Sequence, residues 1–185
     1  MLFRSPGDRA TVGTFSQSVQ LNTELSSQPD ALLGALQAVT PWPAGTAIWD
    51  AIEAGRGALD AEGGKRVIML VTDGADNASR ADPNVVRTSL QKSGILVYSV
   101  GIRGRVGLDT TEIGALANST GGRTLELKSS DDIGTAMRQV ADELHNQYLI
   151  GFSPEKLDDK LHRVVVKVRR PGAVARTTRM YFAAR

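Results

Sequence analysis

Positions 19, 21, 23 and 25 hold Val19, Leu21, Thr23 and Leu25, and between them stand Gln20, Asn22 and Glu24. That period of two predicts a half-buried strand with the first set inward. Residues 10–16, rich in Thr, Val and Phe, predict a strand before it. The two join in a hairpin at residues 16–18. Pro29 and Asp30 open a short helix with Leu32, Leu33, Leu36 and Val39 on one face. Residues 41–45 carry two prolines and a glycine, so the chain loops there. A second helix starts near Thr46, with Ile48, Ile52 and Leu59 near helical spacing, and Gly63-Gly64 ends it.

Beyond residue 65 the pattern changes. Residues 67–71 are continuously apolar, as are most of residues 95–102. Such runs predict strands covered on both faces, the mark of a parallel sheet. Between them, residues 83–92 predict a helix capped by Asp82 and ended by Gly94. Residues 110–118 predict another helix, and residues 123–127 a short strand. A longer helix follows over residues 130–147, with Ser130 as its cap and Ile133, Met137, Val140, Ala141 and Leu144 as its apolar stripe. Alternating strands and helices imply an α/β fold with a mostly parallel sheet. The tail breaks this alternation. Residues 148–152, 161–169 and 175–182 predict three strands with no helix between them, so they pair antiparallel. The chain divides into a domain over residues 1–147 and a β extension over residues 148–185.

The 185 residues are 41% hydrophobic and 23% charged, enough for one domain with a real core. A net charge of +2 gives no general pull toward nucleic acid. The cations do gather late, at Lys160, Arg163, Lys167, Arg169, Arg170, Arg176, Arg179 and Arg185. Solvated strand faces account for them. The absence of cysteine excludes disulfides, thiolate metal sites and cysteine nucleophiles. No stretch approaches the roughly 20 apolar residues of a membrane helix, so no membrane insertion is expected in this segment. The opening residues 1–6 are too short for a signal peptide's apolar region.

Ligands of an open α/β sheet bind beyond the carboxyl ends of its strands. Two short motifs fall there. Gly45-Thr46-Ala47-Ile48 lies at a loop-to-helix junction, and Thr72-Asp73-Gly74 ends a buried strand. Hard oxygen donors on separate loops, a hydroxyl from Thr46 and a carboxylate from Asp73, suit magnesium or manganese. Thr46 equally suits a helix cap, and Asp73-Gly74 an ordinary turn. Asp76 and Asn77 read as loop residues or as supports of the metal ligands. His145 and His162 lie far from Asp73 by topology and read as surface residues. No glycine-rich phosphate loop is present; the glycines of residues 101–107 open no helix.

The order of these segments resembles a von Willebrand factor type A domain read from its second strand onward. The resemblance runs over Asp8-Arg9-Ala10-Thr11-Val12-Gly13-Thr14-Phe15-Ser16, Gly45-Thr46-Ala47-Ile48, residues 66–74 with Asp73-Gly74, and residues 94–102. It covers about residues 7–147. The tail, with Gln147-Tyr148 and Ser153-Pro154 and then residues 162–172, is similar to a bacterial branch of exported, VWFA-related proteins of the acidobacterial type. The resemblance implies a three-layer, doubly wound fold with helices on both faces of the sheet. It implies a non-catalytic adhesion or interaction module that binds a protein partner through an acidic residue, with no nucleic acid. It also implies a metal-ion-dependent adhesion site for Mg2+ or Mn2+ and an extracytoplasmic, periplasmic or secreted location.

The family's site has three parts: an Asp-x-Ser-x-Ser run after the first strand, a threonine and an aspartate. Thr46 matches the second and Asp73 the third. The first has no counterpart, since only seven residues precede Asp8. Thr14-Phe15-Ser16-Gln17-Ser18 imitates it but reads as a hairpin turn. The expectation is therefore a domain lacking its central first strand, within a longer gene product, with weak or no metal binding. In an alternative, the strands flanking the gap pair with each other. Two further functional readings stand beside the interaction module. One is a metal-free structural domain, and the other a phosphoryl-transfer hydrolase using Asp73.

Overall fold

A computed structural model describes residues 7–38, 44–102, 111–148 and 150–185. Three small sheets organise them. The first is the expected hairpin: β1 (Gly13–Phe15) pairs antiparallel with β2 (Val19–Leu21), Gly13 opposite Leu21 and Phe15 opposite Val19. The ladder is shorter than residues 19–25 predict. An isolated bridge between Ala10 and Ser26 closes its open end. Leu21, expected to point inward, is 43% exposed.

Helix α1 (Pro29–Gln37) begins with proline at its first turn, where a missing N–H costs nothing. It contributes no buried residue, and Leu33 and Leu36 are exposed. The apolar stripe that predicts it is only partly covered: Leu32 is half-buried, and Val39 lies outside the described residues. Helix α2 (Ile48–Leu59) buries Ile48, Trp49 and Ile52. It ends before Gly63-Gly64. The prolines of residues 41–43 also lie outside the described residues.

The centre of the domain is a parallel sheet of β3 (Val67–Thr72), β4 (Leu96–Ile102) and β5 (Thr124–Leu127) in that order. The register runs from Val67 beside Leu96 to Thr72 beside Gly101. Each crossover is a helix, α3 (Pro83–Ser93) and then α4 (Thr111–Thr120). The predicted boundaries of α3 hold for physical reasons. Asp82 accepts the Asn84 N–H at 2.7 Å, and Gly94 closes the helix in the left-handed conformation, φ 68°.

The two faces of the sheet are covered unequally. Leu70 of β3 and Val97 of β4 pack with Ile48, Trp49 and Ile52 of α2, Val86 and Leu90 of α3, and Ile113 and Leu116 of α4. On the opposite face α5 (Ile133–His145) meets β4. There the fully buried Tyr98 donates its hydroxyl to Glu143 at 2.6 Å. A 3-10 turn, Ser130–Asp132, precedes α5, and Ser130 is not its cap; Asp132 holds that position without a side-chain hydrogen bond. Val71, on the Tyr98 side of β3, is 36% exposed, whereas Val100 beside it is fully buried. Among the described residues β3 pairs only with β4, and the β1–β2 hairpin forms its own sheet. The alternative in which the flanking strands pair with each other is thus not observed among the described residues. Both instead rest on α2.

The tail is shorter in strand than its sequence suggests. Tyr148 and residues 150–152 lie in no strand, and Tyr148 and Ile150 are exposed; Leu149 lies outside the described residues. Only β6 (Leu161–Arg163) and β7 (Met180–Phe182) pair, antiparallel, as a separate two-stranded sheet. This unit docks where α3 and α4 end. The Arg179 N–H donates to the Ser119 carbonyl at 3.0 Å, and Lys92 lies over the Phe182 ring at 5.4 Å. Helices run against the strands in such units, so the tail sits at the pole opposite the carboxyl ends of β3 and β4.

Candidate functional site

The rim at the end of β3 is built from three loops. The first is the hairpin turn, where the Ser16 N–H donates to the Ser18 carbonyl at 3.0 Å. This is the turn expected of the Thr14-to-Ser18 stretch, not a ligand loop. The second is the approach to α2. Gly45 has φ 137°, and a Cβ there would stand 2.6 Å from Gln17 Cγ, so glycine alone lets the two loops meet. The Ala47 N–H then donates to the Ser16 carbonyl at 2.7 Å. The third is the turn after β3, residues 72–79. Thr72 is buried and binds back to Gly74, its hydroxyl donating to the Gly74 carbonyl at 3.1 Å.

Thr46 joins the second and third loops. Its N–H donates to Asn77 Oδ1 at 2.8 Å, and its carbonyl accepts the Asn77 N–H at 3.0 Å. Its Oγ1 lies 3.7 Å from a Cβ built on Gly74, the residue next to Asp73. The two residues that the sequence singles out therefore share one rim. The Asp73 residue is exposed and Thr46 half-buried. Neither the Thr46 hydroxyl nor the Asp73 carboxylate has a hydrogen-bonding or ionic partner among the described residues.

Thr46 does not cap α2. The cap residue is Ala47, and no side chain of its own turn serves the helix. Asp76 does so from across the rim, accepting the Ile48 N–H at 2.7 Å and the Trp49 N–H at 3.4 Å. Ser79 completes the arrangement. Its hydroxyl donates to Asp76 at 2.5 Å and accepts the Trp49 N–H at 2.9 Å. Asp50, in the first turn of α2, accepts the Arg80 and Ala81 N–H groups at 3.0 and 2.8 Å. Helix and loop thus exchange caps, and a carboxylate sits on the positive end of the helix dipole. Ser79 and Asp50 carry no sequence signal for this role, because their partners lie about 30 residues away.

As a cation site, the rim offers hydroxyl and carboxylate oxygen, the donor types that magnesium and manganese prefer. It offers two such donors toward six positions. Among the described residues there is no cluster of three acidic or histidine side chains. The donor chemistry fits; the donor number does not by itself define a tight site. One further polar group stands near the rim. The Ser16 hydroxyl is buried with no hydrogen-bond partner among the described residues.

The histidines are elsewhere. His145 is exposed at the end of α5. His162, on β6, bonds Asp158 at 2.8 Å and stacks on Tyr181 with ring centres 5.3 Å apart. Its hydrogen bond holds the Asp158 carboxyl below the usual carboxylate range. The glycines of residues 104–107 lie outside the described residues.

Residues 2–147 match the family profile of the von Willebrand factor type A domain. No curated protein matches the chain. Among solved structures, a von Willebrand factor type A protein from Catenulispora acidiphila superposes with a TM-score of 0.63 at 17% identity, over 72% of this chain and 33% of its own. Proximal thread matrix protein 1 from the mussel byssus superposes with a TM-score of 0.64 at 24% identity, over 76% of this chain and 36% of its own. BatB from Bacteroides thetaiotaomicron gives 0.59 at 17% identity, over 74% and 78%. The chain spans about a third of the length of the first two. These likenesses show the fold.

Proposed function

This chain belongs to the von Willebrand factor type A family, whose members often mediate protein interactions, and from that premise we propose that it is a non-catalytic protein-binding module working through the rim of Thr46 and Asp73. The observation that carries the reading is the pairing of an unpartnered hydroxyl with an unpartnered carboxylate on one rim, where the Thr46 N–H donates to Asn77 Oδ1 and the Thr46 carbonyl accepts the Asn77 N–H. These two oxygens would contribute to holding a divalent cation, which would supply an electrophilic position for a carboxylate of the partner protein. The missing ligands come from outside the described residues. Three features support a further strand and helix packed here in a longer protein. They are the lone pairing of β3, the separate hairpin on α2 and the exposure of Val71. An extracytoplasmic location belongs to the same reading. No helix among the described residues is long and apolar enough to cross a membrane.

The test is calorimetry with Mg2+ and Mn2+, followed by binding of a carboxylate-bearing peptide. The chain as it stands binds either ion weakly, with a dissociation constant on the order of millimolar, and Asp73→Ala removes that binding. Micromolar affinity would contradict the incompleteness of the site. A protein partner whose binding ignores both chelator and Asp73→Ala would favour the second reading, a metal-free structural domain. That reading has its own support in the likeness to a byssal matrix protein. The hydrolase reading has the weakest support, since no group of three acidic or histidine side chains gathers around Asp73 among the described residues.

A further inference from the structure

The tail projects an arm that the rim does not use. Beyond β6 and β7 the ladder continues for one bond, from the Val164 N–H to the Arg179 carbonyl at 2.9 Å. Past that point the two legs, residues 165–169 and 174–178, make no backbone hydrogen bond to each other; the tip is turned by the Ala173 N–H on the Arg170 carbonyl at 3.2 Å. The base is fixed. Arg176 pairs with Glu143 on α5, Arg179 bonds Ser119, and Gly121 presses against Thr177 and Thr178. Every residue from 165 to 174 is exposed.

Two properties coincide on this arm. Its apolar residues are valines, strong strand formers, and Val165 is 61% exposed, Val168 46% and Val174 92%. Its charge is of one sign: residues 160–185 contain eight Lys or Arg and no Asp or Glu. Arg163, Lys167, Arg169, Arg170 and Arg179 have no acidic partner among the described residues. Unpaired N–H and C=O groups flanked by exposed β-branched residues form an edge that another strand completes.

We propose that this arm, residues 163–179, docks an extended acidic segment of a protein partner by strand addition. Backbone bonds supply the attachment, and carboxylates alternating along the partner meet the cations. A second copy of the arm is excluded by charge, because like cations facing each other repel. An anionic membrane is disfavoured because residues 163–176 hold no aromatic side chain to seat at the interface. Nucleic acid is disfavoured because a phosphate backbone offers acceptors but no N–H donors, so it cannot complete a strand edge. The arm lies at the pole opposite Thr46 and Asp73, so its role is independent of the rim.

The experiment measures fluorescence anisotropy of a labelled peptide of alternating Glu and Val, with the intact chain and EDTA throughout. Chelation silences the rim, so a failure here says nothing against the metal-dependent reading. The peptide binds, and binding weakens as salt rises. The triple reversal Lys167→Glu, Arg169→Glu, Arg170→Glu weakens it about tenfold or more, with the circular dichroism spectrum unchanged. A peptide of the same charge with prolines at alternate positions fails to bind, because it cannot donate ladder bonds. Three results overturn the proposal: equal binding of the proline peptide, no effect of the triple reversal, or tighter binding of duplex DNA or of phosphatidylserine vesicles than of the peptide.

Discussion

Replacing Asp76 with alanine tests whether α2 is held from across the rim. The carboxylate serves three donors: the Ile48 N–H, the Trp49 N–H and the Ser79 hydroxyl. Trp49 keeps a second acceptor in Ser79 at 2.9 Å. Ile48 does not, and its residue is only 1% exposed. The loss is therefore one buried N–H left unsatisfied, about 1–3 kcal/mol, with about 0.5 kcal/mol of charge–dipole attraction. A total near 2 kcal/mol is a large share of the roughly 5–15 kcal/mol that holds a domain together. For a chain of this size it lowers Tm by roughly 4–8 °C. Thermal unfolding followed by circular dichroism reads this directly. Asp76→Asn keeps an oxygen facing Ile48 and loses only the charge, so it costs about a quarter as much. A Tm within about 1 °C of the parent for Asp76→Ala would refute the cap, as would equal losses for the two variants. Either result would assign the carboxylate to the rim instead.

Gly122→Ala places a Cβ 1.9 Å from the Val97 carbonyl oxygen. That clash is against the backbone of a fully buried strand, so urea unfolding shows a loss of about 3 kcal/mol. Burial first, and then its hydrogen bond to Glu143, push the Tyr98 phenol far above its usual range. In a phenolate absorbance titration Tyr98, identified by its loss in Tyr98→Phe, stays neutral through the ordinary phenol range. The raised value means Tyr98 stabilises the fold below the ordinary phenol range and loses that contribution only as pH climbs past it. Ionisation of Tyr98 within the ordinary phenol range would contradict its burial. The Asp158 carboxyl is depressed by its hydrogen bond to His162. Its contribution is present above the usual carboxylate range and fades as acid protonates it below that range. His162→Gln raises the Asp158 midpoint in a carbon-13 NMR titration; an unchanged midpoint would remove the pairing.

The parallel sheet was the most legible part of the fold. The runs at residues 67–71 and 95–102 are apolar on both faces apart from Ser99, the pattern of strands covered on both sides. Asp82 and Gly94 were readable because capping acts within a few residues. The hairpin length and the partly covered stripe of α1 were not, because periodicity reports which face is apolar but not whether a layer exists to cover it. Thr46 and Asp73 were legible through the order of their motifs. Asp76, Ser79 and Asp50 were not legible as mutual caps, because a hydrogen bond across 30 residues leaves no local pattern. The tail was overread for a similar reason. Its valines favour strand, yet the ladder stops at Val164 and Arg179 for want of a neighbouring edge among the described residues.

The exchange of caps between α2 and the loop after β3 fixes how the rim responds to force. Asp76 and Ser79 grip the first turn of the helix, while Asp50 in that turn grips the loop. Pulling Asp73 outward drags the start of α2 with it, and α2 is the surface on which both the hairpin and β3 rest. The start of α2 and the loop after β3 are thereby coupled as one body, and the hairpin and β3 that pack on α2 are coupled to it in turn.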